Sequence, residues 1–200
     1  PLLEWPLMPP IGVGIIGLGN VGGGTLEILH DNAVQIREKL GFDLQVRAIC
    51  SRSVLTRPPT AAGKFPGALR TTNWQEVVAH PDVQIVAELV GGTGVAAEIV
   101  RGAIAGGKSV VTANKELMAT RGLDIWNAAI QAGICLAMEA SVAGGIPIHA
   151  VLREGISGDR VEALFGILNG TSNYILTEME RRGEPLETIL AEAQRLGYAE

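Results

Sequence analysis

The segment Ser109-Val110-Val111-Thr112-Ala113-Asn114-Lys115-Glu116 carries the most direct chemical signal in the chain. A β-branched run leaves a Gly106-Gly107 turn and ends in a small polar cluster bearing one lysine. Ligands of open α/β sheets sit beyond the carboxyl ends of the parallel strands, so Lys115 is delivered to where a substrate would lie. An amine at that edge can orient a carbonyl oxygen and handle a proton. The second signal is Gly17-Leu18-Gly19-Asn20-Val21-Gly22, a Gly-x-Gly-x-x-Gly between an apolar strand and an amphipathic helix. The first glycine permits a tight turn, the second lets backbone approach a pyrophosphate, and the third lets helix and strand pack closely. The helix start then presents N–H groups to the phosphates. In that context the pattern predicts a dinucleotide site rather than a bare turn.

The second predicted strand, Leu44–Cys50, ends in Ser51-Arg52 and not in an acid. An acid there would hold the ribose hydroxyls and repel a 2′-phosphate, whereas arginine accommodates one. Arg52 therefore favours NADP, with NAD still possible; the alternative is a solvated loop charge. Lys64 is read as a solvated charge sooner than as a second phosphate partner. Glu88 lies inside an apolar run, where a lone carboxylate is costly to bury. It must either bond backbone N–H groups at a neighbouring strand edge or pair with Lys115. Thr93, in the glycine-rich stretch 91–94, is expected near the nicotinamide end, the alternative being a plain loop. Glu139 precedes a glycine-rich bend, and a carboxylate with backbone carbonyls is a donor set for a hard cation.

Other chemistries find little support. The three histidines, His30, His80 and His149, are read as surface or helix-end residues, and no Cys/His constellation suggests zinc. Cys50 and Cys135 each stand in an apolar run and are expected to be buried, with no disulfide framework and a cytoplasmic setting. A nucleophilic-cysteine aldehyde dehydrogenase would need a thiol at a helix start, which neither residue offers. A net charge of −5 leaves no basic patch, so nucleic acid is not an expected partner. No run is long and apolar enough to predict a membrane helix. Residues 1–10, with four prolines and no basic start, read as a short leader and not a signal peptide.

These residues need elements to position them, and the sequence alternates strand and helix. Strands are predicted at Ile11–Ile16, Leu44–Cys50, 84–90, Ser109–Thr112 and 134–139. Helices are predicted over 21–40, on the spacing of Leu26, Leu29, Ala33, Ile36 and Leu40, and over 96–105 and 116–132. Asn73 should cap a short helix to Ala79, and 54–69 should be irregular. With aromatics at 4%, the core must be aliphatic, as in buried parallel sheets. The expectation is an α/β fold, a Rossmann-type doubly wound sheet over residues 11–140. Beyond it, 141–200 should hold a hinge and an incomplete second domain, with helices at 148–154, 172–182 and 186–196 and a strand at 161–168.

Four motifs together resemble the homoserine dehydrogenase family. They are the glycine run 17–22, Thr112-Ala113-Asn114-Lys115, Glu139-Ala140-Ser141-Val142-Ala143-Gly144-Gly145-Ile146-Pro147, and Gly166-Ile167-Leu168-Asn169-Gly170-Thr171-Ser172-Asn173-Tyr174-Ile175-Leu176. The last two are long and seldom seen elsewhere, and the resemblance runs from Ile11 to Glu200. It implies NAD(P)-dependent interconversion of L-homoserine and L-aspartate 4-semialdehyde, on the route to threonine, methionine and isoleucine. It implies that Lys115 is one of two active-site lysines and that 141–200 begins an α+β substrate and dimerisation domain. Further implications are a sodium or potassium site at Glu139 and the backbone oxygens of Val142, Gly144 and Ile146, and a substrate pocket with Thr171, Asn173 and Glu200. A homodimer or homotetramer is implied for the full-length enzyme. The family's second lysine follows Gly-Tyr-Ala-Glu, beyond Glu200, so a truncated enzyme is expected, with a non-catalytic NADP-binding fragment or another two-domain NADP oxidoreductase as alternatives.

Overall fold

The structure, a computed structural model, describes residues 8–56, 61–167 and 169–198. It divides into two compact units, residues 1–141 and 142–200.

The first unit is built on six parallel strands in the order β3-β2-β1-β4-β5-β6. They are β1 (Ile11–Ile16), β2 (Leu44–Cys50), β3 (Leu69–Thr71), β4 (Ile85–Glu88), β5 (Ser109–Thr112) and β6 (Leu136–Ala137). The chain winds one way from β1 to β3, then returns past β1 to lay down β4, β5 and β6 on the other side. That reversal beside β1 opens a crevice at the carboxyl ends of the strands, and it defines a doubly wound sheet. Strand side chains alternate between two faces, so there are two buried clusters. Ile16, Ala48, Cys50, Val86 and Val110 pack under α3 (Trp74–Ala79), α4 (Val95–Ala105) and α5 (Lys115–Ala132). Val13, Ile15, Val46, Ile49 and Ala87 pack on the opposite face with Leu26 of α1 (Asn20–Asp31).

Several local features depart from the sequence expectations. The predicted helix 21–40 is two helices, α1 and α2 (Ala33–Leu40), parted at Asn32, whose backbone leaves the helical region at φ −107°, ψ 18°. Asp31 and Asn32 hydrogen-bond readily to local backbone and hold helices poorly, which is where the break falls. The stretch expected to be irregular ends in the edge strand β3, paired with β2 from Ala48↔Leu69 to Cys50↔Thr71. At three residues it is too short to show a period. Cys50 is buried as expected, but Cys135 is exposed, because it enters an edge strand covered on one side only. Asn73 does cap α3, its side chain accepting from the Gln75 N–H at 3.1 Å.

In the second unit a short helix α6 (Ile148–Ala150) runs on as a π-helical turn, Val151–Gly155. Helices α7 (Gly170–Arg182) and α8 (Leu186–Arg195) pack as a pair around buried Ile189 and Ala193. Arg182 of α7 ties them, reaching Glu178 at 2.6 Å and Glu192 of α8 at 2.7 Å. Residues 161–167, expected as a strand, have no regular structure and are exposed throughout. Their apolar residues suit a strand, but a strand needs a neighbour for its backbone groups, and none pairs with them among the described residues. Among the described residues no helix is long and apolar enough to cross a membrane.

Candidate functional site

The crevice beside β1 is a cleft of about 920 Å³ walled by the carboxyl ends of β1, β2 and β4. The first half of the glycine run, Gly17, Leu18 and Gly19, lines its floor. Gly17 has φ +109°, and a Cβ there would lie 2.4 Å from the Leu89 carbonyl oxygen. A Cβ on Gly22 would lie 1.9 Å from the Gly17 carbonyl oxygen, so helix α1 can seat against the turn only without a side chain. Gly19 differs: nothing stands within 4 Å of its would-be Cβ, which leaves backbone open to an incoming phosphate. Gly19 is also the N-cap of α1, with no side chain capping and no acid in the first turn. The positive end of the helix dipole therefore faces the cleft with no acid of the first turn to offset it. Leu18 lines the cleft, while Asn20 and Val21 begin α1 as exposed residues. This cradle fits a dinucleotide's pyrophosphate.

Ser51, Arg52 and Ser53 form the cleft wall at the end of β2, joined by Thr72 and Trp74. Arg52 is exposed, and among the described residues it has no ion-pair partner. Lys64 does not join it. Its ammonium pairs with Asp31 at 2.7 Å, and that hydrogen bond, helped by His30, holds the Asp31 carboxyl below the usual carboxylate range. His30, near the end of α1, has Asp31 at 2.7 Å.

Beyond the other wall, the ends of β4 and β5 are joined by polar side chains. Glu88 is fully buried and does not pair with Lys115. Its Oε1 accepts from the N–H groups of Val90 at 2.9 Å and Gly91 at 3.4 Å, and its Oε2 accepts from the Thr112 hydroxyl at 2.7 Å. The Thr112 oxygen in turn accepts from the Asn114 N–H at 3.1 Å. Asn114 caps α5, its Oδ1 accepting from the Leu117 N–H at 3.0 Å, while its Nδ2 donates to the Gly92 carbonyl at 2.7 Å. Sequence reasoning found Glu88 and the motif around Asn114 but missed their linkage. The linkage follows from the register pair Glu88↔Thr112, which only the lateral order of β4 beside β5 reveals.

Lys115 is the first residue of α5, exposed, with no hydrogen bond or ion pair among the described residues. A cation at a helix start is repelled by the dipole, so this position raises energy unless an anion or a substrate dipole answers it. Thr93 lies half-buried in the loop after β4. Among the described residues, Gly91 and Val95 line the cleft whereas Thr93 and Lys115 do not.

The remaining predicted residues lie further along. Glu139 opens a 3-10 turn, Glu139–Ser141, in the first unit rather than ending a strand. Val142, Gly144 and Ile146 belong to the second unit, in a bend where Ala143 (φ 48°) and Gly145 (φ 85°) are left-handed. The Ile146 carbonyl accepts from the Ile148 N–H at 2.8 Å. No group of three or more His, Cys, Asp or Glu residues that could hold a metal occurs among the described residues, so a cation would rely on one carboxylate and carbonyls. That donor chemistry suits a hard ion and not zinc. In the second unit, Asn169 caps α7 through the Ser172 N–H at 2.7 Å, and Asn173 is exposed one turn in. The Thr171 hydroxyl donates to the Tyr198 carbonyl, and Tyr198 meets Tyr174 edge-on at 5.0 Å. The Gly-Tyr segment before Glu200 is thereby held at the start of α7; Glu200 itself lies outside the described residues.

Parallel sheet, glycine cradle and cleft together define an NAD(P)-binding Rossmann domain followed by a second α-rich unit. Comparison with known proteins places it more narrowly. The family model described as homoserine dehydrogenase, NAD binding domain, matches residues 17–139, and that described as homoserine dehydrogenase matches 147–200. The chain belongs to the homoserine dehydrogenase family. It is 45% identical over 193 residues to homoserine dehydrogenase of Neisseria gonorrhoeae, covering 96% of this chain and 43% of that protein. It superposes with a TM-score of 0.83 and 49% identity on the crystal structure of a homoserine dehydrogenase from Thiobacillus denitrificans, over 96% of this chain and 43% of that one. A hyperthermophilic archaeal homoserine dehydrogenase in complex with NADPH gives a TM-score of 0.74 at 26% identity, over 94% of this chain and 62% of that one. The chain thus spans less than half the length of the first two relatives.

Proposed function

We propose that these residues form the cofactor domain and the start of the substrate domain of an enzyme interconverting L-homoserine and L-aspartate 4-semialdehyde with NADP(H). The observation that carries this is the glycine cradle facing Arg52 across one cleft, in a chain of this family. The α1 N-terminus would take the pyrophosphate and Arg52 the 2′-phosphate. When bound, the nicotinamide supplies or accepts the hydride. Lys115 would orient the substrate's oxygen and stabilise negative charge developing there, a role its uncompensated charge suits. Thr171, Asn173 and Glu200 would line the substrate pocket, and Thr93 would stand near the nicotinamide end. Glu139 with the carbonyls of Val142, Gly144 and Ile146 would hold sodium or potassium. Residues 11–140 and 141–200 are the corresponding functional domains. The full-length enzyme would be a homodimer or homotetramer acting on small molecules of threonine, methionine and isoleucine biosynthesis.

The test is homoserine-dependent reduction of NADP by the full-length enzyme, run beside NAD. Turnover with homoserine and a preference for NADP are expected. A protein that binds NADPH yet leaves homoserine unchanged would overturn the substrate assignment.

A further inference from the structure

Glu88 is a buried ionisable group that the chemistry above does not use. It is 0% exposed, and no cation pairs with it among the described residues. Burying a carboxylate this way is costly, and a neutral side chain could hold a loop at lower cost. Its donors are informative. Two are the N–H groups of Val90 and Gly91, which begin the loop after β4, and the third is the Thr112 hydroxyl at the end of β5. That loop has little else to fix it. Gly91 (φ +82°) and Gly92 (φ +69°) are consecutive left-handed residues with nothing within 4 Å of a would-be Cβ. From Thr112 the chain of bonds passes to Asn114, which grips the Gly92 carbonyl and caps the helix that Lys115 begins.

Resting on the dinucleotide assignment above, we propose that Glu88 is a positioning residue. It fixes the 90–92 peptides and, through Thr112 and Asn114, the start of α5, so that the nicotinamide end of the cofactor and Lys115 share one register. The adenosine end of the cleft, at Ser51, Arg52, Thr72 and Trp74, takes no part in this latch.

That division supplies the experiment. NADPH and adenosine 2′,5′-bisphosphate, which lacks the nicotinamide half, are titrated calorimetrically against the unaltered chain and against Glu88→Gln, Thr112→Val and Thr112→Ser. Glu88→Gln keeps an acceptor for Val90 and Gly91 but turns a donor toward the Thr112 hydroxyl; Thr112→Val removes the hydroxyl at nearly constant shape. Both should weaken NADPH about tenfold, the size of one lost hydrogen bond to a charged group, and leave the bisphosphate within about twofold. Thr112→Ser should restore NADPH affinity. Equal weakening of both probes, or weakening of neither, would overturn the positioning role while leaving the dinucleotide site standing. Failure of the unaltered chain to bind either probe would overturn the site itself, and the inference with it. Should Glu88→Gln not fold, the two Thr112 variants decide alone.

Discussion

Lys115 stands at the positive end of a helix with no hydrogen bond or ion pair among the described residues to offset it, which is an unstable arrangement for a surface charge and a useful one for a site. Lys115→Ala in the full-length enzyme should lower kcat by about 100-fold or more, with NADPH affinity kept, as steady-state kinetics beside fluorescence titration would show. Unchanged turnover would remove Lys115 from the active site. Arg52 makes a separable prediction, because in the function proposed above it meets only the adenosine end. Arg52→Asp should shift cofactor preference from NADP toward NAD by about tenfold or more in kcat/KM, and an unchanged ratio would refute the phosphate role. Cys50 titrates at the cleft wall: burial pushes its thiol from 9.0 up to about 11, with the Glu76 carboxylate adding to the effect. The folded chain then keeps a proton that the unfolded chain releases. The stability this contributes is whole below the ordinary thiol value and is lost as pH rises to about 11. Melting temperature followed across that range should fall less steeply in Cys50→Ala. Near neutral pH a thiol reagent should label exposed Cys135 and spare Cys50 until denaturant is added.

Elements carry the site through close backbone approach and capping. The 1.9 Å clearance at Gly22 leaves no room for a methyl, so Gly22→Ala must push α1 off the turn. Loss of NADPH binding together with lowered stability is expected, and a variant that binds normally would show that the turn can open. Asn73→Ala should cost about 1 kcal/mol by denaturant unfolding, the usual worth of an N-cap. The elements that the sequence made legible share a trait: their signal is local. Ile11–Ile16, Leu44–Cys50 and Ser109–Thr112 are apolar runs bounded by turn residues, and Asn73 starts a helix by its own capping chemistry. What was hidden depends on neighbours. The three residues of β3 are a strand only because β2 offers an edge, and residues 161–167 are not one because nothing described pairs with them. Glu88 could be picked out as an anomaly from the sequence, but choosing between backbone N–H groups and Lys115 required the lateral order β4 beside β5. Cys135 was misjudged for the same reason, since burial of a strand residue depends on whether a second neighbour exists.

At the scale of the whole molecule, the first unit has both sheet faces covered and its cleft formed, while the second is a helix pair with an exposed apolar stretch before it. The chain matches less than half the length of its relatives in Neisseria gonorrhoeae and Thiobacillus denitrificans. On the function proposed above, the 200 residues alone are expected to bind NADPH but to oxidise homoserine only at trace rates, and a chain of the relatives' full length is expected to turn homoserine over. Ordinary turnover by this chain alone would show that no second lysine is needed. The strand order also has a consequence for how the protein is made. β1 is in the middle of the sheet yet leaves the ribosome before the other five strands, and its partner β4 joins at Val13↔Ile85. At about 5–20 residues per second, one edge of β1 stays bare for several seconds of synthesis. During that interval the glycine turn lacks the Leu89 carbonyl against which it packs. The nascent chain is then a bare-edged apolar strand with no nucleotide to steady it, and it is open to pairing with the wrong neighbour.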